Sequence, residues 1–231
     1  MTNIENTMMK SLSLDHEFNL WNDSGILSIG VDEVGRGCLA GPVVAGAVLF
    51  DWSKIEAIED LARRFVIRDS KTLSRERRKE AAIAIREIAL AVGIAEIDAK
   101  IIDEINILQA TLRAMREAVG RITEHLSPIY GGVGGGVGED RTILILVDGN
   151  QRIPNLSMEQ STIIGGDNKI FSIAAASIIA KEYRDTLMEK FDDEFPGYDF
   201  SSHKGYGTKK HCDAIREIGL SSIHRKTFWH G

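Results

Sequence analysis

The chain has 231 residues, 43% of them hydrophobic and 27% charged, with a formal net charge of −6. These values exclude a disordered, collagenous or coiled-coil chain, and at ~150 residues per domain they accommodate one to two domains. No apolar run approaches the ~20 residues of a membrane helix: the longest, around residues 170–180, is interrupted by Ser172 and Ser177.

Residues 1–24 read as a polar extension with no strong period. Residues 26–34 (ILSIGVDEV) and 42–50 (PVVAGAVLF) are β-type runs. The glycine-rich Gly35-Arg36-Gly37 joins them, which predicts an antiparallel pair. In residues 53–65, Ile55, Ile58, Leu61, Ala62 and Phe65 have helical spacing. Residues 74–91 are a predicted helix with Ser74 as N-cap, Ala82, Ile85, Ile88 and Ala89 as its apolar face and Gly93 as its stop. A short strand follows at 92–97, then a long helix over 99–119. Its stripe is Ile101, Ile105, Leu108, Leu112, Met115 and Val119.

Residues 131–138 (GGVGGGVG) read as a flexible insertion; no Lys-Ser/Thr follows, so they form no Walker loop. Residues 142–147 (TILILV) have the near-continuous apolarity of a buried central strand and end at the turn Asp148-Gly149-Asn150. A helix is predicted over 170–191, its first half small and apolar enough to be wholly buried. The last helix fits 209–218, closed by Gly219.

Cys38 and Cys212 lie far apart, and no ligand-spaced Cys/His cluster exists, so neither zinc nor a disulfide framework is expected. Residues 1–20 carry acids and lack the apolar segment of a secretory signal. A cytoplasmic setting is expected. The acidic total speaks against attachment to nucleic acid by bulk charge. Charge is uneven, however. Residues 203–231 hold Lys204, Lys209, Lys210, Arg216, Arg225 and Lys226 against Asp213 and Glu217, a balance of +4 before any of four histidines is counted. Such a tail either presents an edge to a polyanion or is an ordinary solvated helix, and composition alone favours the second reading.

Four acids stand at the ends of apolar elements: Asp32 and Glu33 after the first β run, Asp148 after the TILILV strand, and Asp167 in GGDN. Ligand sites of open α/β sheets gather at strand ends. Converging carboxylates repel, and a divalent cation relieves the repulsion; oxygen-only ligands suit Mg²⁺ or Mn²⁺. Neighbours on a strand point to opposite faces, so Asp32 and Glu33 share a site only if the strand ends or bulges there. Gly35-Arg36-Gly37 sets a fork-shaped cation and two permissive glycines beside them. Lys71 in DSKTL is either part of a helix-entry turn or a phosphate ligand, and Lys181, flanked by apolar helix, needs a partner. Tyr206, between Gly205 and Gly207, puts an aromatic ring on a flexible loop where it could stack on a sugar or base. Together these features favour phosphodiester chemistry over redox or acyl transfer.

Seven strings resemble ribonuclease HII, in that family's order: GVDEVGRGCLAGPV (30–43), DSKTL (69–73), INILQATLRAM (105–115), LVDGN (146–150), GGDNK (165–169), AAASIIAKEYRD (174–185) and SHKGYGTKKH (202–211). The resemblance implies an RNase H-like α/β fold, a central five-stranded mixed sheet flanked by helices with a C-terminal helical segment. It implies one catalytic domain over 25–231, its C-terminal segment beginning near 186, behind the polar extension 1–24. It implies an endonuclease that cuts the RNA strand of RNA/DNA hybrids and incises 5′ of single ribonucleotides in duplex DNA, leaving 3′-hydroxyl and 5′-phosphate ends. Carried over by motif, Asp32, Glu33, Asp148 and Asp167 are the catalytic and metal-holding carboxylates, with Asp32 bridging. Gly35, Arg36 and Gly37 contact the backbone at the ribonucleotide and help sense its 2′-hydroxyl, and Tyr206 stacks on the following deoxyribose. Lys71 and Lys181 contact phosphate, and Asp185 pairs with Lys181 one helical turn away. Two divalent ions, Mn²⁺ or Mg²⁺, ~4 Å apart would activate water and stabilise the leaving 3′ oxygen. The expected partners are hybrid and ribonucleotide-containing duplexes, bound by a monomer with no membrane and no obligate protein partner. The alternatives are a ribonuclease HIII, for which about 24 extra N-terminal residues are too few to form its added domain, a non-catalytic hybrid-binding protein, and a small-molecule phosphatase, which leaves Arg36 and Tyr206 unexplained.

Overall fold

The computed structural model describes residues 12–65, 67, 73–130 and 142–231. Five strands form one sheet: β1 (Leu27–Val34), β2 (Val43–Leu49), β3 (Ala91–Ile97), β4 (Ile143–Asp148) and β5 (Glu159–Ile163). Their order is β3-β2-β1-β4-β5. β1 pairs antiparallel with β2, and β2 with β3; β4 runs parallel to β1, and β5 to β4. The sheet is the mixed, five-stranded one expected.

The helices are α1 (Asp15–Ser24), α2 (Ile55–Phe65), α3 (Arg75–Ile88), α4 (Ala99–Ile105), α5 (Ile107–Tyr130), α6 (Phe171–Glu194), α7 (Phe200–His203) and α8 (Lys209–Ile218). The alternation of β1 separates two cores. Leu27, Ile29 and Val31 pack with Ala110, Ala114 and Ala118 of α5 on one face. On the other, Val48 and Phe50 pack with α2, α3 and the small residues Ala174, Ala175 and Ala176 of α6. α6 lies close against the sheet because Gly30 and Gly46 have no side chain. A Cβ at Gly30 would sit 2.3 Å from the Ile173 nitrogen, and one at Gly46 2.4 Å from the Ala176 carbonyl oxygen. That close seat carries the middle of α6 to the end of β1, where the acids are.

Four elements differ from the pattern reading. The polar N-terminal segment contains α1, whose Glu17 is buried. Glu17 accepts from the Ser28 hydroxyl at 2.7 Å and from the Ser172 N–H at 3.0 Å. Ser172 lies in the first turn of α6, whose N-cap residue Ile170 offers no side-chain cap. A carboxylate distant in sequence therefore supplies the missing acceptor where the helix dipole is positive. Glu17→Ala is expected to lower stability by roughly 1.5–3 kcal/mol, the usual range for a hydrogen bond to a charged group. Denaturant titration checks this; an unchanged midpoint would contradict the capping role.

The long helix predicted over 99–119 is broken at Asn106, which has φ +67°. Its Oδ1 accepts from the Leu108 and Gln109 N–H groups at 3.0 and 3.1 Å and so starts α5 afresh. α3 stops at Ile88, before Gly93. Gly93 is inside β3, where a Cβ would lie 2.0 Å from the Ala118 carbonyl oxygen of α5. Finally, β5 (EQSTI) has no apolar alternation. It is an edge strand held by its pairing with β4.

Candidate active site

β1 and β2 stay in consecutive register as far as Val34 opposite Val44, so no bulge lies at Asp32 or Glu33. The expected distortion of β1 is replaced by an opening beside it. The parallel pairing of β1 with β4 ends at Val31 opposite Val147, so among the described residues the last part of β1 has no strand partner on that side. Asp32 faces α6 and Glu33 the α5 side, and both reach around this gap. Asp148 ends β4. One carboxylate oxygen from each of Asp32, Glu33 and Asp148 lies within 4.8 Å of the other two.

The cluster is electrostatically unfavourable by itself. Burial, then the neighbouring Glu33, push the Asp32 carboxyl well above its usual range, and Asp148 adds to the effect; a hydrogen bond with Ser177 opposes it. Burial raises Glu33 too, against the pull of Arg36, whose Nη1 lies 3.1 Å from Glu33 Oε1. Three repelling oxygen donors beside the half-exposed Arg36 fit a hard divalent cation.

A cavity of about 340 Å³ opens onto the cluster, lined by Asp32, Glu33, Asp148, Asp167, Ser177, Lys181 and Tyr206 among others. Asp167 sits in the 3₁₀ turn Gly166–Asn168, where its Oδ1 accepts from Asn168. It shares the cavity and stands outside the three-acid cluster. The same turn is tied to the cluster, because the Gly166 N–H donates to Asp148 Oδ1 at 2.7 Å. Lys181 Nζ lies 2.5 Å from Asp185 Oδ1, and Asp185 Oδ2 accepts from Arg78 at 2.7 Å. The lysine from the buried helix thus has its partner, and its head remains on the cavity wall. Lys71 lies outside the described residues. A smaller cleft of about 70 Å³ flanks Glu33 and Asp148 on the α5 side, with Arg36, Thr111 and Asn150 in its lining.

The two glycines beside Arg36 have different reasons. Gly35 has φ +94°, and a Cβ there would meet Arg184 Nε at 2.3 Å. Gly37 has no such constraint: its φ is ordinary and a Cβ would meet nothing within 4 Å. Nothing within the folded chain requires glycine at 37, so the bare backbone there keeps open the space in front of it. Tyr206 reaches the same place through an isolated antiparallel bridge to Cys38. The Gly205–Gly207 turn is firmly held where the pattern suggested a flexible loop: the Gly205 carbonyl accepts from Leu39 and Ala40, and Tyr206 N–H donates to His203. Tyr206 is 41% exposed, which makes it accessible from the cavity it lines.

Pattern reading missed Ser177, whose only signal was a hydroxyl residue inside an apolar helix. Much of the tail's charge is engaged within the fold. Arg225 is wholly buried, and Lys204, Lys210 and Arg216 are in ion pairs with Glu189, Asp199 and Asp213. His203, His211 and His224 are buried as well. The Ser221 N–H donates to His224 Nδ1 at 2.9 Å, so the His224 proton is on Nε2 and points to His211 Nε2 at 3.0 Å. His211 then donates from Nδ1 to the Tyr206 carbonyl at 2.9 Å. This relay of neutral rings supports the Tyr206 turn. Burial, with His211 beside it, lowers His224 from 6.5 to about 4. The unfolded chain therefore takes up that proton first, and stability present above pH 6.5 is lost as pH falls toward about 4. The melting temperature is expected to fall across that window, and less steeply in His224→Asn; parallel profiles would contradict the assignment.

A mixed sheet with carboxylates meeting at adjacent strand ends, beside a cavity furnished with a lysine and an exposed tyrosine, is an arrangement suited to metal-assisted phosphodiester cleavage. The family model for ribonuclease HII matches residues 29–230, and the chain belongs to that family. It is a metal-dependent ribonuclease. The ribonuclease HII of Chlorobium luteolum is 42% identical over 221 residues, covering 95% of this chain and 96% of that protein. That of Chloroherpeton thalassium is 46% identical, covering 86% and 88%. Among solved structures, the ribonuclease HII from Archaeoglobus fulgidus in its complex with PCNA superposes with a TM-score of 0.66 at 24% identity, covering 89% of this chain and 96% of that one. The Bst ribonuclease HIII in complex with Mn²⁺ gives 0.64 at 19%, covering 98% and 73%. These two likenesses show the fold. Among the described residues no helix is long and apolar enough to cross a membrane.

Proposed function

We propose that the protein hydrolyses the RNA strand of RNA/DNA hybrids and incises 5′ of single ribonucleotides embedded in duplex DNA, serving their removal. The observation that carries this reading is the shared cavity: the Asp32, Glu33 and Asp148 cluster, Lys181 and the exposed Tyr206 all line it, and the Gly35-Arg36-Gly37 turn adjoins it. Two divalent cations, Mn²⁺ or Mg²⁺, held by Asp32, Glu33, Asp148 and Asp167, would supply water activation and stabilisation of the leaving 3′ oxygen, giving 3′-hydroxyl and 5′-phosphate ends. Ser177 keeps Asp32 oriented through its hydrogen bond. Lys181, with its charge balanced by Asp185, offsets a phosphate next to the scissile one. The Gly37 N–H and the open space before it receive the 2′-hydroxyl, the group that separates RNA from DNA. Tyr206 stacks on the sugar that follows.

Tyr206→Ala is expected to slow incision at a single ribonucleotide about tenfold, as loss of a stacking platform worth ~1–3 kcal/mol implies. Wild-type protein is expected to leave p-nitrophenyl phosphate intact. Hydrolysis of that ester at a rate indifferent to Tyr206 would instead identify a small-molecule phosphatase.

A further inference from the structure

Among the described residues, two arginines outside the acidic site are buried with no carboxylate within ion-pair distance. Arg225 is wholly buried, donating from Nη1 to the Arg36 carbonyl at 2.8 Å and from Nε and Nη2 to the Gly41 carbonyl at 3.0 and 2.8 Å. Its own N–H donates to the Leu39 carbonyl at 2.8 Å. Arg184, equally buried, donates to the carbonyls of Pro42, Ala40 and Lys204 at 2.9, 3.0 and 2.8 Å. Between them the guanidiniums hold four carbonyls of the turn after β1 and one next to the Gly205–Gly207 turn. Burying a cation against neutral acceptors alone is costly. Well-packed apolar residues would fill the same volume more favourably.

What the arrangement gains is the direction of a peptide group. The Arg36 C=O and the Gly37 N–H belong to one planar, trans peptide and point in opposite directions. With the oxygen turned in to Arg225, the Gly37 N–H is turned away from Arg225, and Gly37 itself is exposed. Among the described residues no acceptor takes this N–H.

We infer that Arg225 is a positioning residue for ribonucleotide recognition: it never meets the substrate, and it aims the Gly37 N–H at the 2′-hydroxyl by holding the Arg36 carbonyl. Arg184 fixes the other end of the same turn and ties it to the Tyr206 loop. The inference rests on the function proposed above. Arg225→Lys keeps the cation and loses the planar fork that spans two carbonyls.

The test is binding in Ca²⁺ to a DNA duplex carrying one ribonucleotide and to the same duplex in all-DNA form. Wild type is expected to prefer the ribonucleotide duplex. Arg225→Lys, with wild-type circular dichroism, is expected to lose at least fivefold of that preference, through the ribonucleotide duplex alone. Equal weakening on both duplexes, or an unchanged preference, would overturn the positioning role and leave the proposed function standing. No preference in wild type would overturn both. Should Arg225→Lys fail to fold, Arg225→Gln takes its place, and the Gly37 amide signal is followed in ¹⁵N-labelled wild type and variant. In wild type it is expected to shift with the ribonucleotide duplex and stay put with the all-DNA duplex; the same selective shift in Arg225→Gln would overturn the inference.

Discussion

Asp148→Asn is expected to lower incision at an embedded ribonucleotide by at least ~10³-fold while leaving the fold intact. The carboxylate is one of three whose oxygens lie within 4.8 Å of one another. Removing its charge weakens the hold on a divalent cation and the electrostatic stabilisation of the transition state, and ~4 kcal/mol of lost stabilisation corresponds to a thousandfold in rate. Structure should survive because asparagine retains an oxygen to accept the Gly166 N–H, the bond that anchors the Asp167 turn. Single-turnover cleavage alongside thermal melts separates these effects. A variant that cuts within tenfold of wild type would remove Asp148 from the chemistry.

Gly37→Ala carries the second large effect, and it isolates recognition from folding. A methyl group at Gly37 meets nothing within 4 Å and the backbone there is not in the left-handed region, so the melting temperature should be unchanged. In the enzyme–substrate complex the same methyl would stand where the ribose is received. Displacing the reacting phosphate by about 1 Å is enough to cost ~10²-fold, and that is the expected fall in kcat/KM on the single-ribonucleotide duplex. The contrasting control is Gly35→Ala, where a Cβ collides with Arg184 and folding itself should suffer. Full activity in Gly37→Ala would mean that the open space is not the ribose subsite.

The parts of this molecule that were legible in the sequence are those whose signal is local. The β1–β2 pair showed in two apolar runs around a glycine-rich turn, α3 in its Ser74 cap, and α8 in its closing Gly219. Acids placed straight after apolar strands marked the three-carboxylate cluster, because strand ends are where an open sheet exposes side chains. What was hidden depends on distant contacts. α1 is polar along most of its length and is held by a buried carboxylate that reaches α6. Asn106 sits within an apolar stripe that stays in phase on both sides of it, so periodicity runs straight through the break. β5 is polar and exists because β4 offers it an edge. The meeting of Asp32 with Glu33 across opposite faces of β1 follows from where the β4 ladder stops, which strand periodicity does not encode. Arg225 counted in the sequence only as one cation of the basic tail, and Arg184 carried no signal of its own; the carbonyls they bind reveal both as part of the scaffold.

The most direct measurement is incision of a labelled DNA duplex containing one ribonucleotide, with Mn²⁺ or Mg²⁺ supplied, beside the all-DNA duplex and a long RNA/DNA hybrid. The account predicts a single nick on the 5′ side of the ribonucleotide, 3′-hydroxyl and 5′-phosphate ends, cutting of the hybrid, and no cutting of the all-DNA duplex. Intact ribonucleotide duplex in the presence of folded, metal-supplied protein, or equal cleavage of the all-DNA control, would contradict it.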